Sequence, residues 1–135
     1  MSLNPLAVAL AWIEAVNQKD LERLMRLSAP GIDIIGPRGS LRGSGVLRDW
    51  LARAGLTLES GRSFVRDGSV VVEQRGVWRS PDTGEVVGVG EVASRFRVEG
   101  AHVVAYERFD NLAAALASAG LTGSDETGEP SSFTT

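Results

Sequence analysis

At 135 residues the chain has room for one domain with a real core, and 43% apolar with 23% charged content is ordinary for a globular protein. A net charge of −3 without any Lys/Arg-rich run argues against nucleic acid as a partner. The absence of cysteine removes disulfides, thiol nucleophiles and thiolate metal sites and points to the cytoplasm, while the longest apolar stretch, Leu6 to Ile13, is too short to span a bilayer.

Met1-Ser2-Leu3-Asn4-Pro5 offers no basic leader. Instead, Asn4-Pro5 reads as a helix start, a capping side chain followed by a proline whose missing N–H costs nothing there. That helix, to about Asn17, is apolar nearly all round and must be covered on several sides. A second helix, capped by Asp20 with Leu21, Leu24 and Met25 inward, is expected to end at Ala29-Pro30-Gly31. A short strand, Ile32 to Ile35, runs into a glycine-rich loop, Gly36 to Gly45, and Ser44 is expected to cap a third helix closed by Gly55.

From Thr57 the pattern changes to strands and turns. Asp67-Gly68 is a two-residue hairpin signal, because both positions tolerate positive φ. Ser80-Pro81-Asp82-Thr83-Gly84 is a longer turn and Glu99-Gly100 a tight one, which gives a meander of four strands. Asp110 is expected to cap a last helix ending at Gly120, with residues 122–135 a disordered tail after a domain of residues 1–121.

Tight turns fix which residues share a face. Counting from Asp67-Gly68 puts Val70, Val72, Gln74 and Trp78 toward the helices. Counting from Glu99-Gly100 adds Val92, Ser94, Phe96, Val103, Ala105, Glu107 and Phe109. Glu107 is the anomaly of that face, since a carboxylate among apolar neighbours must pair, hydrate or keep its proton. It is the candidate general acid or base; a structural carboxylate bonded to a helix end or an indole is the bland alternative.

Gln74 and Ser94 are candidates to orient a ligand, or else core polar groups satisfied by backbone or water. Trp12, Trp50 and Trp78, with Ile35, Val92 and Phe109, would form the wall. The single histidine, His102, falls on the charged face, which excludes a Ser-His-Asp triad or a multi-histidine metal site, and no cofactor is implied. Arg38 and Arg42 lie near a helix start but lack the Gly-Lys-Ser/Thr of a phosphate loop.

The order helix, helix, strand, Gly36-Pro37-Arg38-Gly39 loop, helix, meander resembles the SnoaL-like members of the nuclear-transport-factor-2-like (cystatin-like) superfamily. Asp20-Leu21-Glu22, the run Arg42 to Trp50 and the closing Tyr106-Glu107-Arg108-Phe109-Asp110 carry the likeness across roughly residues 5–120. It implies an α+β cone: N-terminal helices packed on a highly curved antiparallel sheet, with an internal pocket. It also implies a homodimer through the outer sheet face, where Val71, Val77, Val104 and Tyr106 would lie among Arg/Glu pairs.

In the ketosteroid-isomerase-like branch a carboxylate before the loop proline is the general base and a second carboxylic acid holds the oxyanion. The matching positions here are Gly36 and Val92, so the resemblance does not carry that chemistry. The expected function is binding of a small, mostly apolar organic molecule. The alternatives are a lyase, isomerase or hydrolase using Glu107, and a protein-interaction module using the outer face.

Overall fold

The structure is a computed structural model and describes residues 4–36, 39–53, 55–80 and 82–127. Helix α1 (Pro5–Asn17) begins as the sequence implies, with Asn4 Oδ1 accepting from the Leu6 N–H. Lys19, at φ 56°, turns the chain into α2 (Leu21–Leu27), which Asp20 caps through the Arg23 N–H. Helix α2 stops at Leu27, two residues early. Ala29 precedes Pro30 and is pushed to extended backbone, so the strand β1 (Ser28–Gly36) starts at once.

The glycine-rich stretch is a hairpin, with β2 (Gly39–Arg42) paired antiparallel to β1 and closed by Gly36 opposite Gly39. Helix α3 (Ser44–Arg53) follows, its first turn closed by Leu47 N–H to Gly43 carbonyl, so Gly43 holds the cap position expected of Ser44. The meander is as expected: β3 (Leu56–Arg66), β4 (Ser69–Arg79), β5 (Val86–Glu99) and β6 (His102–Phe109). Helix α4 (Leu112–Ala119) is capped by Asn111, not Asp110, and ends on Gly120 at φ 72°.

The six strands lie in the order β2-β1-β6-β5-β4-β3. The sheet is mixed, which corrects the purely antiparallel expectation: β1 runs parallel to β6. Hairpin turns dictate antiparallel pairing only between the strands they join, and no turn joins β1 to β6. Register shifts interrupt four of the five strand pairings, and two of them bear on the site. One is at Gly61-Arg62 in β3, opposite Glu73; the other is Val104 in β6, between the pairs Val98–Val103 and Arg97–Ala105.

That second bulge overturns part of the expected register. The β5–β6 turn falls one residue late, on Gly100-Ala101, which shifts partners by two and leaves the faces unchanged. The extra residue Val104 then inverts everything after it. Tyr106 and Arg108 turn toward α1, while Ala105, Glu107 and Phe109 turn away.

Each face of the sheet is covered by its own core. Against α1, α2 and α3 lie Val70, Val72, Val92, Phe96, Val98, Val103 and Tyr106. On the other face Phe64, Val71 and Ala93 pack under α4, with Phe109 beside them. Val71 and Tyr106, expected on an outer interface, are therefore buried. Residues 122–127, expected in the tail, run along β3. Thr127 N–H bonds the Ser63 carbonyl, and Glu126 makes a two-pronged pair with Arg62. None of the described helices is long and apolar enough to cross a membrane.

Candidate functional site

The side chains with chemistry to offer collect on the α1 face of the sheet. Gln74 on β4 and Ser94 on β5 are 2% and 0% exposed, among Val72 and Val92. Their alternation from the Asp67-Gly68 turn brings them there, as the sequence implied. Ser94 Oγ donates to Gln74 Oε1 at 2.5 Å, and Tyr106 Oη lies 3.4 Å from the same hydroxyl. Among the described residues Gln74 Nε2 has no hydrogen-bond partner. Leaving such a donor buried costs about 1–3 kcal/mol, so it is a feature to explain.

Aromatic rings form the wall. Trp12 stacks on Tyr106 at 4.7 Å between centroids and meets Phe96 edge-on at 5.6 Å. Trp12 Nε1 donates to Ser28 Oγ, which in turn donates a hydrogen bond to the Leu24 carbonyl, so the indole is locked in place. Burial pushes the Tyr106 phenol up from its ordinary value, against smaller opposing effects of Ser94 and Arg108. Tyr106 is thus a neutral hydroxyl at physiological pH.

Toward the end of the sheet Trp78 lies across β5 over Gly88 and Gly90, and an added Cβ at Gly90 would meet its ring at 3.7 Å, an ordinary contact. The exposed Arg108 guanidinium sits 5.7 Å from the Trp78 ring centroid.

The structure brings together Trp12, Gln74, Trp78, Val92 and Ser94 of the expected residues. It separates three others from them. Glu107 lies on the α4 face, 3.7 Å from Arg95, whose guanidinium also donates to Ser118 of α4. Phe109 packs with the α4 cluster. Ile35 pairs with Glu107 and shares its face, while Ile34 takes the inner one opposite Tyr106. The Trp50 side chain and Arg38 lie outside the described atoms, and Arg42 is occupied with Asp33 at 2.8 Å.

Sequence reasoning missed Tyr106 and Arg108. One signal was available: the assumed register left Arg95 opposite Val104, whereas the bulged one gives it Glu107. A cleft of about 200 Å³ opens at the β3 bulge and borders Gln74, lined otherwise by Glu59, Ser60, Gly61, Glu73, Arg75 and Glu91. Among the described residues no group of three His, Cys, Asp or Glu is placed to hold a metal.

The sequence profile described as the SnoaL-like domain matches residues 9–106. The chain belongs to the SnoaL-like family. No curated protein matches it. Solved structures agree on the fold. A nuclear-transport-factor-2-like protein of unknown function from Cytophaga hutchinsonii is 12% identical with a TM-score of 0.68, over 82% of this chain and 93% of that one.

TerC, co-crystallised with polyporic acid, is 15% identical with a TM-score of 0.69, over 85% and 96%. A protein with a ketosteroid isomerase-like fold from Catenulispora acidiphila, in complex with trimethylamine, is 17% identical with a TM-score of 0.66, over 85% and 93%. The SnoaL-like chain is thus a cone of four helices on a six-stranded mixed sheet, and at these identities the likeness speaks to the fold alone.

Proposed function

We propose that this SnoaL-like domain binds a small, mostly apolar organic molecule on the α1 face of its sheet, between the helices and the strands. The unpaired Gln74 amide, held among valines and aromatic rings, carries the reading. Ligand sites combine an apolar wall with a few fixed polar groups, and Trp12, Trp78, Val92, Gln74 and Ser94 supply that combination, joined by Tyr106. Two proteins of similar fold were solved with small organic molecules, polyporic acid and trimethylamine, which supports small-molecule binding as a use of the fold.

Binding is favoured over acid–base catalysis. On β4, β5 and β6 the residues that alternate toward α1 include no carboxylate, and Glu107 pairs with Arg95 on the other face. Titration with acetophenone, followed by tryptophan emission, tests the site: saturable change that is lost in Val92→Trp supports it. Absence of any saturable response from either acetophenone or ethylbenzene contradicts it.

A homodimer is the second part of the proposal. Val89 is 51% exposed on the outer face of β5 opposite Val77, and Val87, at the register shift next to it, is 68% exposed; both lie past the last β5–β6 pair, Ala93–Phe109. An apolar patch on an open strand edge is a surface that a second copy would cover.

A further inference from the structure

Within the site the hydrogen-bonding valences are unequally spent. The Ser94 hydroxyl hydrogen is committed to Gln74 Oε1 at 2.5 Å, and that bond fixes the amide with its nitrogen pointing away from Ser94. Trp12 Nε1 is committed to Ser28 Oγ. Both hydrogens of Gln74 Nε2 remain unspent. Of the neighbours of Gln74 on its face, Val72 and Val92 have no side-chain acceptor to offer, and the hydroxyl of Ser60, opposite it on β3, makes no hydrogen bond to the amide.

We infer that the Gln74 amide is the specificity-determining donor of the site, and that the molecule bound there presents a neutral acceptor, a carbonyl oxygen on an otherwise apolar body. The inference rests on the binding reading above and names its ligand class. A carboxylate would fit badly, because a buried charge must be paired, and Arg108, the cation of this face of β6, is exposed at the rim against Trp78. A hydrocarbon would leave both N–H groups orphaned. A carbonyl oxygen has two lone pairs for them and needs no donor in return.

Turning the amide over would reverse the preference: Nε2 would then serve Ser94 Oγ, and the buried Oε1 would ask for a donor. Three ligands of nearly one shape separate these cases, namely acetophenone, ethylbenzene and 1-phenylethanol. Their dissociation constants are measured by calorimetry on the intact chain and on Gln74→Leu and Gln74→Met. The expected result is acetophenone bound about 3- to 10-fold more tightly than ethylbenzene, the effect of one neutral hydrogen bond, with the ratio falling to one or below in either variant.

Equal binding of the ketone and the hydrocarbon by the unaltered chain overturns the acceptor assignment while leaving the binding site standing. Tighter binding of 1-phenylethanol than of acetophenone also overturns it. If none of the three binds, the binding reading falls and this inference falls with it. Should a variant fail to fold, the three ligands on the unaltered chain still decide between these outcomes.

Discussion

Gln74 and Ser94 form a coupled pair whose energetics are open to a simple comparison. Ser94→Ala removes the only partner of a buried amide and is expected to cost about 1–3 kcal/mol in urea unfolding. The double change Gln74→Leu with Ser94→Ala removes both partners at once and is expected to be near neutral or stabilising. A double variant less stable than Ser94→Ala alone would show that the amide is satisfied in solution. Glu107→Gln tests the displaced acid: its partner Arg95 is a quarter exposed, so the change should shift stability by under about 1 kcal/mol and leave acetophenone binding intact. Loss of binding in Glu107→Gln would restore that residue to the site. At this scale the sequence was legible where counting began from a defined turn. Val70, Val72 and Gln74 follow from Asp67-Gly68, and Ser94 follows through the β4 register. Glu107 and Phe109 were placed by counting through an unmarked bulge, and each landed on the wrong face.

Elements were legible wherever a local signal sets them: the Asn4-Pro5 start, the Asp20 cap, the Gly120 stop and the Asp67-Gly68 hairpin. Bulges carry no such signal. Val103-Val104-Ala105 reads as uninterrupted strand, and only the pairing of Tyr106 with Phe96 and Glu107 with Arg95 reveals the extra residue. Deleting Val104 should therefore close the ladder with Tyr106 still opposite Phe96, whereas inserting one residue between Ala105 and Tyr106 should turn Tyr106 away from Trp12. The expected loss for the insertion is about 3–5 kcal/mol by denaturant unfolding, the usual result of emptying an aromatic core position. Stability unchanged by the insertion would mean that β6 can re-pair around a second extra residue. The segment 122–127 was hidden for a different reason: its hold on β3 is polar, through Arg62–Glu126 and Arg66–Asp125, and apolar content does not register it. The Arg62 guanidinium bonded to Glu126 holds its carboxyl below the usual carboxylate range. A carboxylate with a depressed folded value stabilises above its unfolded pKa, and that contribution is lost as pH falls through the folded value. The Thr127 amide resonance should hold steady near neutrality and move as the pH drops below the ordinary glutamate range. In Glu126→Gln that transition should vanish; if it persists, another group holds the segment.

For the molecule as a whole, the sheet divides the cone into two territories. The α1 face carries Gln74, Ser94 and Tyr106, with the Arg108 rim, among apolar residues, whereas the other face is shared between α4 and an uncovered end with exposed Val87 and Val89. Light scattering should report twice the 14.3 kDa chain mass, and Val87→Glu with Val89→Glu should return it to one. A monomer at high concentration removes the homodimer. The fold class was legible as a helix-then-meander order, while the parallel β1–β6 pairing depends on contacts remote in sequence that no turn announces. The claim that binding occurs on the α1 face is tested most directly by a nitrogen–proton NMR titration with acetophenone. The expected result is saturable movement of the Gln74 side-chain amide and the Trp12 indole N–H, with the backbone of Glu59, Glu73 and Glu91 at the β3 cleft unmoved. Movement of those three glutamates with Trp12 still, whether or not Gln74 moves, would contradict it.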